Sequence, residues 1–255
     1  MANLQNKVIA ITGGASGIVL AVAKQCAAFG ASLALADIQE IPLKQVEATL
    51  TADGVDVMAT KVDVSHSGEV TAWVGAIMNR FGRLHGAANL TGVESNRAGV
   101  FANLEDLDDS VWNLIMSINL TGLFFCLRAQ LKAMEAGASI VNAASIAGLI
   151  GRPGLDAYSV SKHGVVGLTK TAAKEAGEKG IRINAVAPGP IHTPMLSRII
   201  AAGGKDRAVT NSYATLPLKR LGTAEEVAKT FVFLVSDNSS FTTGSVYTVD
   251  RSLCC

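Results

Sequence analysis

A tyrosine and a lysine stand four residues apart in the segment Tyr-Ser-Val-Ser-Lys, at Tyr158 and Lys162. In an α-helix this spacing puts a phenol and an amine on one face, one turn apart. A phenol ordinarily has a pKa of about 10, which is too high for base catalysis at neutral pH. A nearby ammonium favours the phenolate and lowers that pKa. The pair therefore indicates proton transfer to or from a substrate.

A glycine-rich stretch at residues 12–19, Thr-Gly-Gly-Ala-Ser-Gly-Ile-Val, follows an apolar run at residues 7–11. Such a turn from strand to helix lets the backbone approach a pyrophosphate, which the helix N-terminus stabilises. Asp37 ends the next apolar run, twenty residues beyond Gly17. A carboxylate at this distance reads the ribose hydroxyls of NAD. A plain connecting turn and an ordinary strand-end aspartate are the alternatives for these two features taken singly.

Apolar strand-like runs alternate with amphipathic helical stretches along the chain. Strands are predicted near 7–12, 32–37, 56–62, 84–89, 138–144, 182–187 and 245–249, and helices near 19–29, 41–52, 66–80, 104–117, 119–136, 156–178 and 223–236. This alternation predicts an α/β fold, a Rossmann-like, doubly wound parallel sheet of about seven strands with helices on both faces. Ligands of such sheets bind at the carboxyl ends of the strands.

Length and composition favour one domain that acts on small molecules. The chain has 255 residues, 49% hydrophobic and 17% charged, which predicts a single domain with a cofactor half at about 1–140 and a catalytic and substrate half at about 141–255. A net charge of +1 without a basic run argues against nucleic acid or an acidic membrane as partner. We find no leader and no uncharged apolar segment long enough to span a bilayer, so we expect a cytoplasmic protein. The four cysteines have no metal-ligand spacing and form no recognisable disulfide framework, and the four histidines are scattered over different elements, so we expect neither disulfides nor a metal site.

Further unusual residues follow the other predicted strands. They are Asp63 and Val64, the turn at 89–92, Ser145 and the segment 188–193. In this order, and together with Asn119 and the Tyr-x-x-x-Lys pair, they resemble the classical short-chain dehydrogenase/reductase family over essentially the whole chain. The spacing of thirteen positions from Ser145 to Tyr158 also matches the family.

The resemblance implies a catalytic tetrad. Tyr158 would be the general acid or base, and Lys162 would lower its pKa and bind the nicotinamide ribose. Ser145 would hydrogen-bond the reacting oxygen, and Asn119 would hold a water that relays protons to the lysine. Taken singly, Ser145 could be a strand-end hydroxyl and Asn119 a helix cap.

The resemblance also implies a cofactor site. Asp63 would contact the adenine, Val64 would line its pocket, and Thr193 would touch the nicotinamide carboxamide. Asp37 would repel the 2′-phosphate of NADP, and Ser16 and Ile38 stand where the family often places a compensating cation, so NAD is predicted over NADP. The implied contact residues are Gly13, Ser16, Gly17, Ile18, Asp37, Asp63, Val64, Asn89, Tyr158, Lys162, Pro188, Gly189, Ile191 and Thr193.

Three positions depart from the family pattern. Val19 replaces the third glycine of the turn, where a β-branched side chain could weaken or reshape pyrophosphate binding. Leu90 replaces the second asparagine of the Asn-Asn-Ala-Gly turn, and Arg251–Ser252 replaces a pair of glycines near the C-terminus. Because of Val19, a non-redox isomerase or cyclase on the same scaffold is the second hypothesis for the function. A binding protein with a residual nucleotide site is the third.

We therefore expect an NAD-dependent oxidoreductase that interconverts a secondary alcohol and a ketone. The segments 94–103, 146–156 and 195–213 should surround the substrate, the last as a mobile loop. Their apolar residues predict a bulky substrate such as a steroid, terpenoid or polyketide, unless several of them merely cover the core. The resemblance implies that the helices near 104–136 and 156–178 pair between subunits, giving a homotetramer or a homodimer. The apolar residues of the predicted substrate segments are Leu149, Ile150, Leu155, Met195, Leu196, Ile199 and Ile200.

Overall fold

The computed structural model describes residues 2–13, 17–94, 103–201 and 217–254, without the side chains of residues 199 and 201. Seven parallel strands form one sheet in the order β3-β2-β1-β4-β5-β6-β7. The predicted fold class is confirmed, and each predicted strand is present. The strands are β1 (Val8–Thr12), β2 (Ser32–Asp37), β3 (Val57–Lys61), β4 (Gly86–Asn89), β5 (Ser139–Ala143), β6 (Arg182–Pro188) and β7 (Val246–Val249).

The helices differ from the prediction in two places. The predicted helix at 104–117 begins only at Asp109, because Asp108 caps it by accepting a hydrogen bond from Ser110 N at 2.7 Å. Residues 194–201, expected to be a loop, form a helix. The helices are α1 (Gly17–Ala28), α2 (Glu40–Ala52), α3 (Ser67–Phe81), α4 (Asp109–Met116), α5 (Gly122–Ala133), α6 (Asp156–Gly177), α7 (Pro194–Ala201) and α8 (Ala224–Val235).

The central strands are buried on both faces of the sheet, and every residue of β1 is buried. Helices α1, α2 and α8 cover one face, and α3, α5 and α6 cover the other. Strands buried on both faces need near-continuous apolar sequence, which these strands have. The strand order reverses between β1 and β4, and this reversal leaves a crevice at the carboxyl ends of the two strands.

The run Asp109–Ala133 corrects one expectation from the sequence. It comprises α4, a π-helical turn at Ser117–Thr121 and α5, and it is long and apolar enough, by length and composition, to cross a membrane. The sequence predicts two separate helices here, near 104–117 and 119–136, and no apolar segment long enough to span a bilayer. In the fold Leu123, Cys126 and Leu127 of this run are buried in the core beside the sheet, and 39% of its apolar stretch is buried in all.

A ladder of buried amides ties the sheet to the helices on one face. Asn89 Nδ2 donates to Gln130 Oε1 at 2.9 Å and to Asn142 Oδ1 at 3.0 Å, and Gln130 Nε2 donates back to Asn89 Oδ1 at 2.8 Å. Asn142 Nδ2 donates to Thr169 Oγ1 at 3.0 Å. Buried polar groups that are partnered in this way fix a single arrangement of their elements. The ladder therefore anchors α6 to the ends of β4 and β5.

The two ends of the segment 192–221 are joined to each other. Ile191 and Gly222 form an isolated parallel bridge, and His192 N donates to Gly222 O at 2.9 Å. Immediately afterwards, Thr223 and Glu226 form a capping box that starts α8. The chain thus leaves the sheet after β6 and returns to the same place before α8.

Candidate active site

A cavity of about 690 Å³ opens at the carboxyl ends of the strands, where the strand order reverses. Residues that follow six different strands line it, as expected for a doubly wound sheet. One end holds the glycine turn and Asp37, and the other holds the tyrosine and lysine of α6. The predicted site residues in its lining are Gly13, Gly17, Ile18, Asp37, Asp63, Val64, Ser145, Tyr158, Lys162, Pro188, Gly189, Ile191 and Thr193.

Ser145 and Tyr158 meet in the middle of this cavity. Ser145 directly follows the β5 end and caps a short 3₁₀ turn, where its Oγ accepts a hydrogen bond from Ala147 N at 3.2 Å. It lines the cavity together with Tyr158 and acts as the hydrogen-bonding group that lowers the pKa of that phenol. The structure therefore brings together a phenol and a second hydroxyl donor, an arrangement that can hold a carbonyl or alcohol oxygen and exchange a proton with it.

The pKa of Tyr158 departs from the expectation. Burial raises it above its usual value, the hydrogen bond from Ser145 lowers it, and the negative charge of Glu94 raises it further, with a net increase. The sequence analysis expected Lys162 to lower this pKa. A raised pKa keeps Tyr158 protonated at neutral pH, which is the form that donates a proton to a ketone oxygen.

Lys162 lies one turn along α6 with its Nζ 5.7 Å from the centre of the Tyr158 ring. Its ammonium donates a hydrogen bond to Ala143 O at the end of β5, at 2.7 Å. The side chain is buried, and burial lowers its pKa from 10.5 to about 8. The ammonium that was expected to stabilise the Tyr158 phenolate thus donates its hydrogen bond to a strand-end carbonyl. Burial also disfavours the charged form of Lys162 itself.

Asn119 lies in the π-helical turn between α4 and α5, and turns of this kind often occur at functional sites. Its Nδ2 donates to Val93 O at 2.8 Å and to Ser161 Oγ at 3.1 Å, and its Oδ1 accepts from Val93 N at 2.8 Å. Both hydrogens of the side-chain amide are thus used within the protein, so a water that relays protons to Lys162 would have to be held by other atoms of Asn119. The side chain instead fixes the loop after β4 against α6.

Gly148 was not singled out from the sequence, although it sets the position of the catalytic helix. A Cβ at this residue would lie 2.5 Å from the carbonyl oxygen of Lys162. Only glycine therefore lets the turn after Ser145 pack directly on the backbone of α6. The sequence does show a glycine three residues after Ser145. It gives no sign of a close contact there, because the contacting residue, Lys162, lies fourteen residues further along the chain.

The glycine turn opens the other end of the cavity. Gly13 has a φ of +87°, and a Cβ there would lie 3.2 Å from the backbone of Thr91, so the turn requires glycine. Across the cavity, Thr193 packs beside Gly17, whose Cβ position is 3.5 Å from Thr193 Cγ2. These residues bring the start of α1 and the start of α7 together. Ser16, predicted beside them, lies outside the described residues.

Two carboxylates line the far wall of this end. Asp37 Oδ1 accepts a hydrogen bond from Gln39 N at 2.8 Å, which holds the carboxylate at the end of β2. Asp63 Oδ1 accepts from Ser65 N at 2.9 Å and from Ser65 Oγ at 2.7 Å. Burial raises the pKa of Asp63, but these hydrogen bonds and nearby His66 outweigh it and leave the pKa lowered. Together with the glycine turn, the residues of this end fit an adenosine diphosphate group.

Asn89 and Val19 occupy unexpected environments. The Asn89 side chain is buried in the amide ladder and is not part of the cavity lining, so any contact it makes with a cofactor would come through other atoms. Val19 lines the cavity and is 9% exposed, packed in the apolar cluster of α1, α2 and α8. The fold therefore accommodates the extra methyl groups in the core beside the glycine turn.

The substrate end is less apolar than expected. Of the seven apolar residues predicted to surround the substrate, Leu155, Met195 and Leu196 line the cavity, whereas Leu149, Ile150 and Ile200 do not, and the side chain of Ile199 is not described. Three charged residues, Glu94, Arg152 and Arg198, also line it. Residues 95–102 and 202–213 of the predicted substrate segments lie outside the described residues.

Comparison with known proteins shows relatives that match almost the whole chain. A family model described as Enoyl-(Acyl carrier protein) reductase matches residues 13–252. The chain is 47% identical over 253 residues to the short-chain dehydrogenase/reductase aba4 of Botryotinia fuckeliana (strain B05.10), with 98% of this chain and 97% of that protein covered. It is 38% identical over 247 residues to the cyclohexanol dehydrogenase of Acinetobacter sp. (strain SE19), with 96% and 94% covered.

A solved structure supports the same assignment. The crystal structure of levodione reductase superimposes with a TM-score of 0.90 at 36% sequence identity, and 98% of each chain is covered. Relatives at these identities and coverages show the family to which the chain belongs. The chain therefore belongs to the short-chain dehydrogenase/reductase family, oxidoreductases that bind a nicotinamide cofactor and act on small-molecule alcohols or ketones.

Proposed function

We propose that the protein is an NAD-dependent oxidoreductase that interconverts a secondary alcohol and a ketone. The observation that carries the proposal is that Ser145, Tyr158 and Lys162 line one cavity, with Lys162 Nζ 5.7 Å from the centre of the Tyr158 ring. The relatives named cyclohexanol dehydrogenase and levodione reductase support the same class of reaction.

The nicotinamide ring, when bound, supplies the site that accepts or donates the hydride. The chain's own residues hold the reacting oxygen and move its proton. Ser145 donates a hydrogen bond to that oxygen, and Tyr158 takes its proton during oxidation or returns one during reduction. Gly189 and Thr193 form the wall of the cavity on the side of α7, where they would orient the cofactor's reactive end.

The substrate in this proposal is a bulky, largely apolar secondary alcohol, of the size of a terpenoid, steroid or polyketide. Ile146, Leu155 and Leu196 supply apolar walls next to Tyr158. A cavity of about 690 Å³ falls within the usual range for ligand pockets. Apolar walls with a few convergent polar groups are typical of sites that bind such molecules.

The proposal is tested by titrating the purified protein with NADH and, in parallel, NADPH, followed by fluorescence. We expect micromolar binding of NADH and much weaker binding of NADPH. Secondary alcohols are then added with NAD, and the absorbance of NADH is recorded. Conversion of an alcohol without that absorbance change would favour a non-redox isomerase or cyclase, and absence of binding by either nucleotide would contradict the proposal.

The carboxylate of Asp37 is proposed to select NAD. Replacing it, as in Asp37→Ser, removes the acceptor for the ribose hydroxyls and the charge that repels a 2′-phosphate. We expect the Kd for NADH to rise about tenfold and the Kd for NADPH to fall, further so when Ile38→Arg is added. Asp53→Ser, an exposed aspartate after α2, is the matched control. Unchanged relative affinities in Asp37→Ser would assign the selection to other residues.

We also propose that an exposed apolar surface on α4, α5 and α6 pairs with a second copy of the chain, in a homotetramer or a homodimer. Leu114, Phe124 and Val160 are each more than 40% exposed on these helices. The guanidinium of Arg128 stacks over the Phe124 ring, 4.9 Å from its centre. Large apolar side chains exposed on neighbouring helices are typical of protein interfaces.

Charge on this surface should separate the subunits. In Phe124→Glu, burial of a carboxylate in the interface is unfavourable, so we expect a smaller assembly than the wild type in sedimentation velocity. Ile41→Glu alters an equally apolar, exposed residue on α2 and should leave the assembly unchanged. A wild-type protein that sediments as a monomer would rule out the interface.

A further inference from the structure

Glu94 is a buried carboxylate at the substrate end of the cavity. It lies in the loop after β4, it is 3% exposed, and it lines the cavity together with Tyr158. Carboxylates are rarely buried to this extent unless they are paired. Arg198 of α7 places its Nε 3.8 Å from Glu94 Oε1, a separation that is typical of an ion pair rather than a hydrogen bond. The charge of Glu94 is therefore compensated from the mouth of the cavity.

This carboxylate does not assist Tyr158 as a base. Its negative charge raises the pKa of Tyr158, in addition to the larger effect of burial. A raised pKa disfavours the phenolate that alcohol oxidation needs. Glu94 and Tyr158 nevertheless line the same cavity of about 690 Å³, so one small molecule can contact both. The position of Glu94 is thus better explained by the recognition of a substrate than by proton transfer.

The chemistry of a carboxylate defines the group that it recognises. An ionised carboxylate only accepts hydrogen bonds, so the complementary group is a hydrogen-bond donor, and in an alcohol substrate that donor is a second hydroxyl. A hydrogen bond from a hydroxyl to a buried carboxylate is charge-assisted and about twice as strong as a neutral one. The carboxylate or phosphate of an acidic substrate would be repelled by Glu94.

We propose that Glu94 accepts a hydrogen bond from a second hydroxyl of the substrate, so that the enzyme prefers diols to mono-alcohols with the same carbon skeleton. The inference rests on the proposed function, because it adds selectivity to the same alcohol–ketone reaction. The apolar walls hold the carbon skeleton, Ser145 and Tyr158 hold the reacting oxygen, and Glu94 holds the second oxygen.

The experiment compares cyclohexanol with the 1,2-, 1,3- and 1,4-cyclohexanediols, as kcat/KM with NAD. We expect at least one diol to exceed cyclohexanol by about tenfold or more in the wild type. The ratio of kcat/KM for that diol to kcat/KM for cyclohexanol should fall about tenfold in Glu94→Gln, which is nearly isosteric with the wild type. It should fall further in Glu94→Leu. Glu178→Gln makes the same change at an exposed site after α6 and should keep the wild-type ratio.

Three results would overturn the inference while leaving the proposed function intact. They are a wild type that prefers no diol, a preference that survives in both Glu94 variants, and faster turnover of 3-hydroxycyclohexanecarboxylate than of any diol. The last result would assign this end of the cavity to Arg198 as an anion site. A wild type that prefers no diol overturns the inference even if the variants fail to fold.

Failure of the proposed function has a different signature, namely no NADH formation from any of these alcohols. Calorimetric titration then tests the inference directly. Tighter binding of a diol than of cyclohexanol to the wild type, lost in Glu94→Gln, supports it. Equal or absent binding of the two kinds of alcohol overturns it.

Discussion

Tyr158→Phe is expected to lose about 10³-fold in kcat for both alcohol oxidation and ketone reduction, with little change in the Kd for NADH. The substitution removes one oxygen, the atom that hydrogen-bonds Ser145 and would exchange the proton with the substrate. The ring remains, so the wall of the cavity and its contact with Lys162 are retained. The loss should therefore appear in turnover and not in cofactor binding, as measured by NADH absorbance and fluorescence.

Tyr247→Phe is the matched control. Tyr247 lies in β7 and packs edge-on against Phe233, with ring centres 6.4 Å apart, away from the cavity lining. Removal of its hydroxyl should leave turnover within about twofold of the wild type. Full turnover in Tyr158→Phe would show that another group transfers the proton.

Lys162→Met is expected to lower kcat about 10²-fold and yet to stabilise the fold. Burial lowers the pKa of Lys162 from 10.5 to about 8, which corresponds to an unfavourable free energy of about 3 kcal/mol for the charged form in the folded protein. Methionine has a similar shape without the charge. Loss of the hydrogen bond to Ala143 O offsets about 1 kcal/mol, so we expect a net gain of about 2 kcal/mol in the free energy of unfolding at pH 7.

The pH dependence of this difference identifies its cause. Between about pH 8 and pH 10.5 the unfolded chain keeps the proton of Lys162, while the folded chain has released it. Wild-type stability therefore rises with pH across this range relative to Lys162→Met, and the difference between the two proteins narrows. Urea unfolding of both proteins at pH 7 and pH 10 measures the effect.

Lys170→Met makes the same change on an exposed position of α6 and should show neither the gain nor the pH dependence. A Lys162→Met protein that is less stable than the wild type at both pH values would contradict the desolvation argument. Together the two variants separate the energetic cost of a buried amine from the general effect of adding methionine to this helix.

The alternation of apolar strands and amphipathic helices was enough to predict the sheet, because strands buried on both faces leave a clear apolar signal. The helix boundaries near residue 118 were not predictable in this way. Asparagine is a residue type that favours the end of a helix, so Asn119 predicts a helix boundary. Its side-chain amide, however, is hydrogen-bonded to Val93 and Ser161, which are distant in sequence. Tertiary hydrogen bonds of this kind turn an expected break into a continuous helical run.

The candidate site was predictable where its residues follow strand ends, as with Ser145 and Asp37. Glu94 and Arg198 gave no such signal, because each is an ordinary charged residue until the fold pairs them. The pKa of Tyr158 was predicted in the wrong direction for a related reason. Sequence spacing shows that Lys162 is near, but not that its ammonium turns to Ala143 O or that burial dominates.

The junction at Ile191 and Gly222 makes the chain between them exchangeable. The two ends of segment 192–221 are hydrogen-bonded side by side, so a replacement segment of another length need not displace β6 or α8. Each doubling of the segment's length adds only about 0.6 kcal/mol to the entropic cost of closing the loop. Chimaeras that graft this stretch from a relative should keep the scaffold's folding while they inherit the donor's choice of alcohol. Substrate range can thus diversify by recombination at two fixed points.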